Sequence, residues 1–279
     1  MTHLDLRNIS PEHADSELVR HIGFTYEDVS SDSFRVRIIP SVAAVTGSGS
    51  KVIDRRTLVA VSDHVMGLAI HLALGQKAPL ATIDLNFGHM RPLEAGDVFI
   101  RLNRPTTVSR IAFVSGTVDQ GDTSLPAGSV TSRFLIGAWP GGTVSEFPPP
   151  ADMDVDLEGV DSFAAFAGLP ETGAATNDFD LQPHPRTIGA RSVPAFHGGI
   201  VAAGLATSAA ALAEKERGSA ALLRSEAINY LRAAFATTSI QYRSEIISSG
   251  RNLMRIRASA HQNGDARPVA QSLVLFEIA

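Results

Sequence analysis

The chain has 279 residues, 44% of them apolar and 19% charged, with a formal net charge of -5. That composition suits a soluble protein of one large or two small domains, and its mild acidity argues against nucleic acid or an anionic membrane as a partner. Cysteine is absent, which excludes disulfides, thiolate metal sites and cysteine nucleophiles.

The N-terminal stretch MTHLDLRNISPEHADSELVR is polar and lacks the apolar core of a signal peptide. No apolar run reaches the roughly 18 residues that span a bilayer, so a cytoplasmic location is expected. GSGSK at 47–51 lacks the full phosphate-loop pattern and reads as a loop. Residues 57–73, TLVAVSDHVMGLAIHLA, read as a helix that is apolar nearly all round, as expected of a helix enclosed by a sheet. His64 and His71 lie on it with no acidic partner at metal-ligand spacing, so no metal is expected. A strand, ATIDLNFGHMRPL, comes next. Three runs rich in Val, Ile, Phe and Thr follow near 97–105, 109–119 and 128–137, with turns at RPTTVSR and DQGDTSLPAGS. Residues 140–159, PGGTVSEFPPPADMDVDLEG, are rich in Pro, Gly and acid and read as a linker.

The second half repeats this order. A helix is expected over 199–215, opened by FHGGIVAAGLA at 196–206, then the strand LLRSEAINYLRA and three strand-like runs near 236–247, 252–262 and 267–278. NFGHMRPL matches AINYLRAA around Arg91 and Arg232, and TVSRIAF matches ISSGRNLM around Arg110 and Arg251. Each half is thus read as a strand, a buried helix and a four-stranded antiparallel meander. The domains are 1–139 and 160–279, with the linker between them. There is no Gly-x-Ser-x-Gly elbow for a serine nucleophile.

This arrangement resembles the hotdog fold, and the residues resemble the phenylacetic-acid-pathway type of acyl-CoA thioesterase. The family pattern is His-Gly-Gly, an Asp or Glu nine residues after that His, and then a strand of the form Asp-x-Asn-x-x-x-x-Arg-Pro. Asp63 in SDHVMG, the strand DLNFGHMRP, and FHGG at 196–199 carry the resemblance. It implies an α+β fold of two tandem hotdog repeats, each a central helix wrapped by an antiparallel sheet, joined as a pseudo-dimeric double hotdog. It also implies an acyl-CoA substrate, no cofactor beyond the coenzyme A of that substrate, and a homo-oligomer such as a dimer or trimer.

The departures from the pattern are complementary. Nine residues after His197 stands Ala206, and nine before Asp63 stands Asp54, followed by Arg55 and Arg56. Family members work as dimers, each site joining one helix mouth to the other protomer's carboxylate. In a tandem chain one composite site would therefore combine Asp63 with His197, Gly198 and Gly199, and the other would be dead. The resemblance makes Asp63 the general base or nucleophile and Gly198 the N–H donor to the thioester oxygen. Gly199 would allow close approach, while His197 would orient the turn. Thr82 takes a strand position where related enzymes often place a water-holding hydroxyl, although a plain β-branched strand residue is the other reading. Arg191 stands where the family often has Asn and could contact a CoA phosphate or an acidic acyl group. Asp84, Asn86 and Arg91 would hold the helix-to-strand turn. The runner-up functions are a non-catalytic acyl-CoA-binding protein and, from the spelling Asp84-x-Asn86-x-x-His89, a hotdog enoyl-CoA hydratase.

Overall fold

The structure, a computed structural model, describes residues 17–29, 33–75, 78–137, 157–171, 173, 176–190, 193–218 and 221–278. Most of the expected linker, 140–156, lies outside them, as does Arg191. The first half holds α1 (Glu17–Ile22), β1 (Phe24–Val29), β2 (Ser33–Ile38) and the long helix α2 (Arg55–Leu74). Strands β3 (Leu80–His89), β4 (Val98–Asn103), β5 (Thr106–Val108), β6 (Ile111–Asp119) and β7 (Gly128–Ile136) complete it. The second half holds α3 (Phe163–Ala167), β8 (Phe179–Leu181), the hairpin β9 (Ile188–Ala190) and β10 (Val193–Phe196), and the long helix α4 (Gly198–Arg217). Strands β11 (Ala221–Tyr230), β12 (Ile240–Ser249), β13 (Leu253–His261) and β14 (Ala270–Ile278) follow.

Both long helices form where the sequence places them, because Ala and Leu favour helix and no proline interrupts either run. Asp54 caps α2 by accepting the Arg56 N–H, and Gly75 closes it in the left-handed region. Every residue from Arg56 to His71 is buried. By length and composition α2 could cross a bilayer, which corrects the expectation that no run is long enough. Of its apolar window, 83% is buried inside the fold, so it serves as a core helix.

One antiparallel sheet wraps both helices in the order β1-β2-β4-β6-β7-β3-β11-β14-β13-β12-β8, with β5 paired to β6. The expected four-stranded meander is corrected here. Only β4-β6-β7 and β12-β13-β14 are meanders, while β3 and β11 return beside β7 and β14. That placement frees the outer edges of β3 and β11 to pair with each other. In their register Asn86 faces Ala227, Leu85 faces Ile228, and Phe87 faces Glu226. Positions 86 and 227 are counterparts in the two repeats, so a pseudo-two-fold axis passes between them.

The internal symmetry extends to irregular details. A bulge falls between Thr82 and Asp84 on β3 and between Leu223 and Ser225 on β11. Arg91 N–H bonds Ala127 O as Arg232 N–H bonds Val269 O, which supports the Arg91/Arg232 match. The other match shifts by one residue: Ile136 N–H bonds Arg110 O where Ile278 N–H bonds Asn252 O, so the counterpart of Arg110 is Asn252. The helices cross so closely that a Cβ built on Gly199 would lie 2.4 Å from Ala60 Cα.

Candidate active site

Asp63 reaches the mouth of α4 across this helix contact. Its side chain is buried at 7% exposure on a helix otherwise lined by Val59, Ala60, Met66 and Gly67. Thr82 Oγ1, at the β3 bulge, donates to Asp63 Oδ1 at 2.9 Å. Asp63 Oδ2 lies 3.7 Å from His197 Nδ1, and a Cβ built on Gly198 would meet it at 2.7 Å. Asp63, Thr82, His197 and Gly198, far apart in sequence, are therefore gathered around one carboxylate.

Burial pushes the Asp63 carboxyl above its ordinary range. His197, the Thr82 hydroxyl and the Gly199 N–H each pull it partly back. His197 is N-cap of α4, and its Nδ1 accepts the Gly199 N–H at 3.0 Å. That bond leaves the ring proton on Nε2, and burial lowers the His197 pKa despite Asp63. The imidazole thus serves as a neutral cap of α4.

Gly198 borders a cavity of about 390 Å³, with Thr82, Phe196, Val201 and Tyr230 also on its wall. The Gly198 N–H belongs to the first helical turn, where backbone donors lack an acceptor within the helix. Gly199, expected to allow a ligand to approach, instead faces Ala60 of the other helix. Its missing side chain serves helix packing, because any Cβ would enter the α2 backbone.

Two contributors escape the sequence reading. Tyr230 donates its hydroxyl to Gly198 O at 2.9 Å and so fixes the peptide plane between the two glycines. Burial raises its pKa well above the phenol range, which keeps it a donor. His64 stacks on His197 with centroids 5.9 Å apart. Tyr230 ends the strand that matches β3, but its counterpart there is His89, so the repeat pattern gives no signal for it.

The residues expected to hold the helix-to-strand turn act elsewhere, a further correction. Asp84 forms an ion pair with Arg133 and accepts the Arg133 N–H, because the β3 bulge opens that donor. Asn86 is exposed, and Arg91 donates to Leu125 O and Gln120, bracing the loop before β7. His89 is buried against Glu226 at 2.9 Å. The hydratase-like spelling therefore gathers no site: its three residues have three separate partners or surroundings.

Across the pseudo-two-fold, Ala206 stands in the place of Asp63 and Leu223 in that of Thr82. Arg56 is bonded to both oxygens of Asp54, to Pro170 O and to Thr207 Oγ1. No acid faces the helix mouth from Ala206.

The family model for the acyl-CoA thioesterase N-terminal domain matches residues 189–277, which hold the α4 mouth and the second sheet half. None of the curated proteins matches the chain. Solved structures match over nearly its whole length. One is a 12:0-ACP thioesterase from Umbellularia californica, at TM-score 0.58 and 10% identity, covering 88% of this chain and 94% of its own. An acyl-CoA thioesterase II from Mycobacterium marinum matches at TM-score 0.50 and 15% identity, covering 94% of this chain and 97% of its own. A protein with the hot dog fold from Alicyclobacillus acidocaldarius matches at TM-score 0.54 and 10% identity, covering 91% and 96%. At such identities the likeness is one of fold: helix and antiparallel sheet are arranged here as in hotdog proteins, and residues 189–277 match an acyl-CoA thioesterase domain.

Proposed function

We propose that the chain is a tandem double hotdog that hydrolyses an acyl-CoA thioester to the carboxylic acid and free CoA at one composite site between its repeats. The observation that carries this reading is the buried carboxylate of Asp63, from one repeat, held against the Gly198 helix mouth of the other. The match of residues 189–277 to an acyl-CoA thioesterase domain supports the substrate class. Kinship with the phenylacetic-acid-pathway type rests on the motifs alone.

In this mechanism the thioester carbonyl enters the 390 Å³ cavity and points its oxygen at the Gly198 N–H. Ionised Asp63 takes a proton from water as that water attacks the carbonyl carbon. Negative charge grows on the carbonyl oxygen, where the helix N-terminus stabilises it. Collapse breaks the C–S bond, and the proton held by Asp63 passes to the departing thiolate. Thr82 keeps the Asp63 carboxylate oriented, while Tyr230 keeps the mouth peptide aligned. The chain's own residues carry every step, and CoA enters only as part of the substrate.

Thiol release from a panel of acyl-CoA and acyl-ACP substrates tests the proposal. Because the Asp63 carboxyl is pushed up, the acid limb of kcat/KM is expected above the ordinary carboxylate range of about 4. Thr82→Val removes a hydrogen bond that favours the charged form, so it should move that limb higher still. A panel with no release, or a limb that Thr82→Val leaves in place, would count against the site. Gly198→Ala sets a methyl against Asp63 Oδ2 and is expected to lower kcat by about 10²-fold, the scale of losing an aligned donor.

A further inference from the structure

The pseudo-two-fold mate of this site is also hollow, with a volume of about 310 Å³. Val52, Ile53 and Arg55 line it where Ala195, Phe196 and Gly198 line the first cavity, and Leu223 takes the place of Thr82. The base, the hydroxyl and the glycine have been exchanged for alanine, leucine and arginine. What remains is a chamber of mainly apolar surface with two arginines, Arg55 and Arg56, and three acids, Asp54, Glu171 and Glu214, on its wall.

The two arginines there differ. Arg56 is saturated by Asp54, Pro170 and Thr207. Arg55 is half-buried and gives one hydrogen bond, from Nη1 to Leu223 O at 3.0 Å. Among the described residues no carboxylate lies within ion-pair distance of it. Asp54 is engaged by Arg56, and the nearby Glu226 by His89. Burial and neighbouring Arg224 disfavour the charged guanidinium, while the Glu226 and Asp54 carboxylates favour it in part. A guanidinium has five N–H donors in a planar fork suited to an oxyanion, so a half-buried one using a single donor lacks a partner. Asp54, Glu171 and Glu214 on the same wall repel a dianion about twice as strongly as a monoanion, so a carboxylate fits better than a phosphate.

We propose that this second cavity binds a small carboxylic acid with an apolar body. The fork of Arg55 takes the carboxylate, while Leu93, Ala206, Ala210 and Ala211 receive the hydrocarbon. Its volume lies at the low end of ligand pockets, about 300–1,000 Å³. The site is independent of the catalytic reading, since binding requires no turnover.

Calorimetric titration of the full chain with octanoate tests the proposal. Saturable binding is expected, weakened about tenfold or more by Arg55→Gln through loss of a charge-assisted pair. Arg55→Lys should fall between the two. Ala210→Phe, which fills the chamber and keeps Arg55, should remove the same binding and covers the case in which Arg55→Gln fails to fold. Octanol and octyl phosphate, which lack a monoanionic carboxylate, should bind the wild-type chain at least about tenfold more weakly. An octanoate isotherm that both Arg55→Gln and Ala210→Phe leave unchanged, with no binding step lost, would place all binding elsewhere and overturn the proposal. Equal affinity for octanol would do the same, as would no binding at all.

Discussion

Asp63→Asn is expected to lower thioester hydrolysis by about 10³-fold or more while raising the melting temperature at neutral pH. Asparagine keeps the size of the side chain and an acceptor for Thr82 Oγ1, but it cannot take a proton from water. The stability change follows from the raised pKa. A carboxyl whose folded pKa exceeds its unfolded value contributes stability only while protonated. That contribution is complete below the unfolded pKa and is lost as pH rises through the folded pKa. At neutral pH the buried charge of Asp63 is therefore a cost, which the amide removes. Thermal melts across pH should show the variant gaining on wild type as pH rises through the folded pKa, with little gain in acid. Activity within a few-fold of wild type would remove Asp63 from the chemistry, and a variant less stable at neutral pH would refute the burial cost.

Gly199→Ala should have the largest effect on stability, about 3 kcal/mol. Its Cβ would lie 2.4 Å from Ala60 Cα and 2.8 Å from Ala60 O. These are backbone atoms of a second buried helix, so relief requires the two core helices to separate, and every contact across their interface loosens together. Gly47→Ala is the control, since nothing lies within 4 Å of its Cβ position, and it should stay within about 0.5 kcal/mol. Urea unfolding monitored by circular dichroism measures both. A Gly199→Ala loss below about 1 kcal/mol would mean that the helices can move apart cheaply.

The parts of the fold legible in the sequence were those with a strong local period. Residues 57–73 and 199–215 are apolar nearly all round at a helical period, which marks them as enclosed helices. Strands such as 128–136 alternate buried and open positions and announce themselves by that period. Strand order was not legible, because the pairing of β3 with β7 and β11 depends on contacts between residues that no local pattern links. The short strands β5, β8, β9 and β10 are too brief to show a period. Much the same divides the site. Asp63 was conspicuous as a charge on an apolar helix, and Asp54 and His197 stood at helix starts. That Asp63 and His197 face each other follows from the repeat and the family resemblance, not from spacing. Tyr230 had no such guide, since its hydroxyl acts on a carbonyl 32 residues away. Gly199 was legible as a glycine that mattered, but the atom it makes room for belongs to the other helix.

The β3–β11 junction also bears on how a half-chain would choose a mate. His89 and Glu226 meet across it at 2.9 Å, both buried, yet they are not symmetry counterparts: His89 corresponds to Tyr230, and Glu226 to Leu85. Two first halves docked through β3 would set each imidazole beside leucine, with no acceptor. Two second halves docked through β11 would bury each carboxylate beside a tyrosine ring, with no imidazole partner. Self-pairing strands a polar group twice over, whereas the mixed pair gives the imidazole and one carboxylate oxygen each a partner. The junction thus discriminates like from unlike, and it gives a tandem chain a reason to close on itself before it recruits a neighbour.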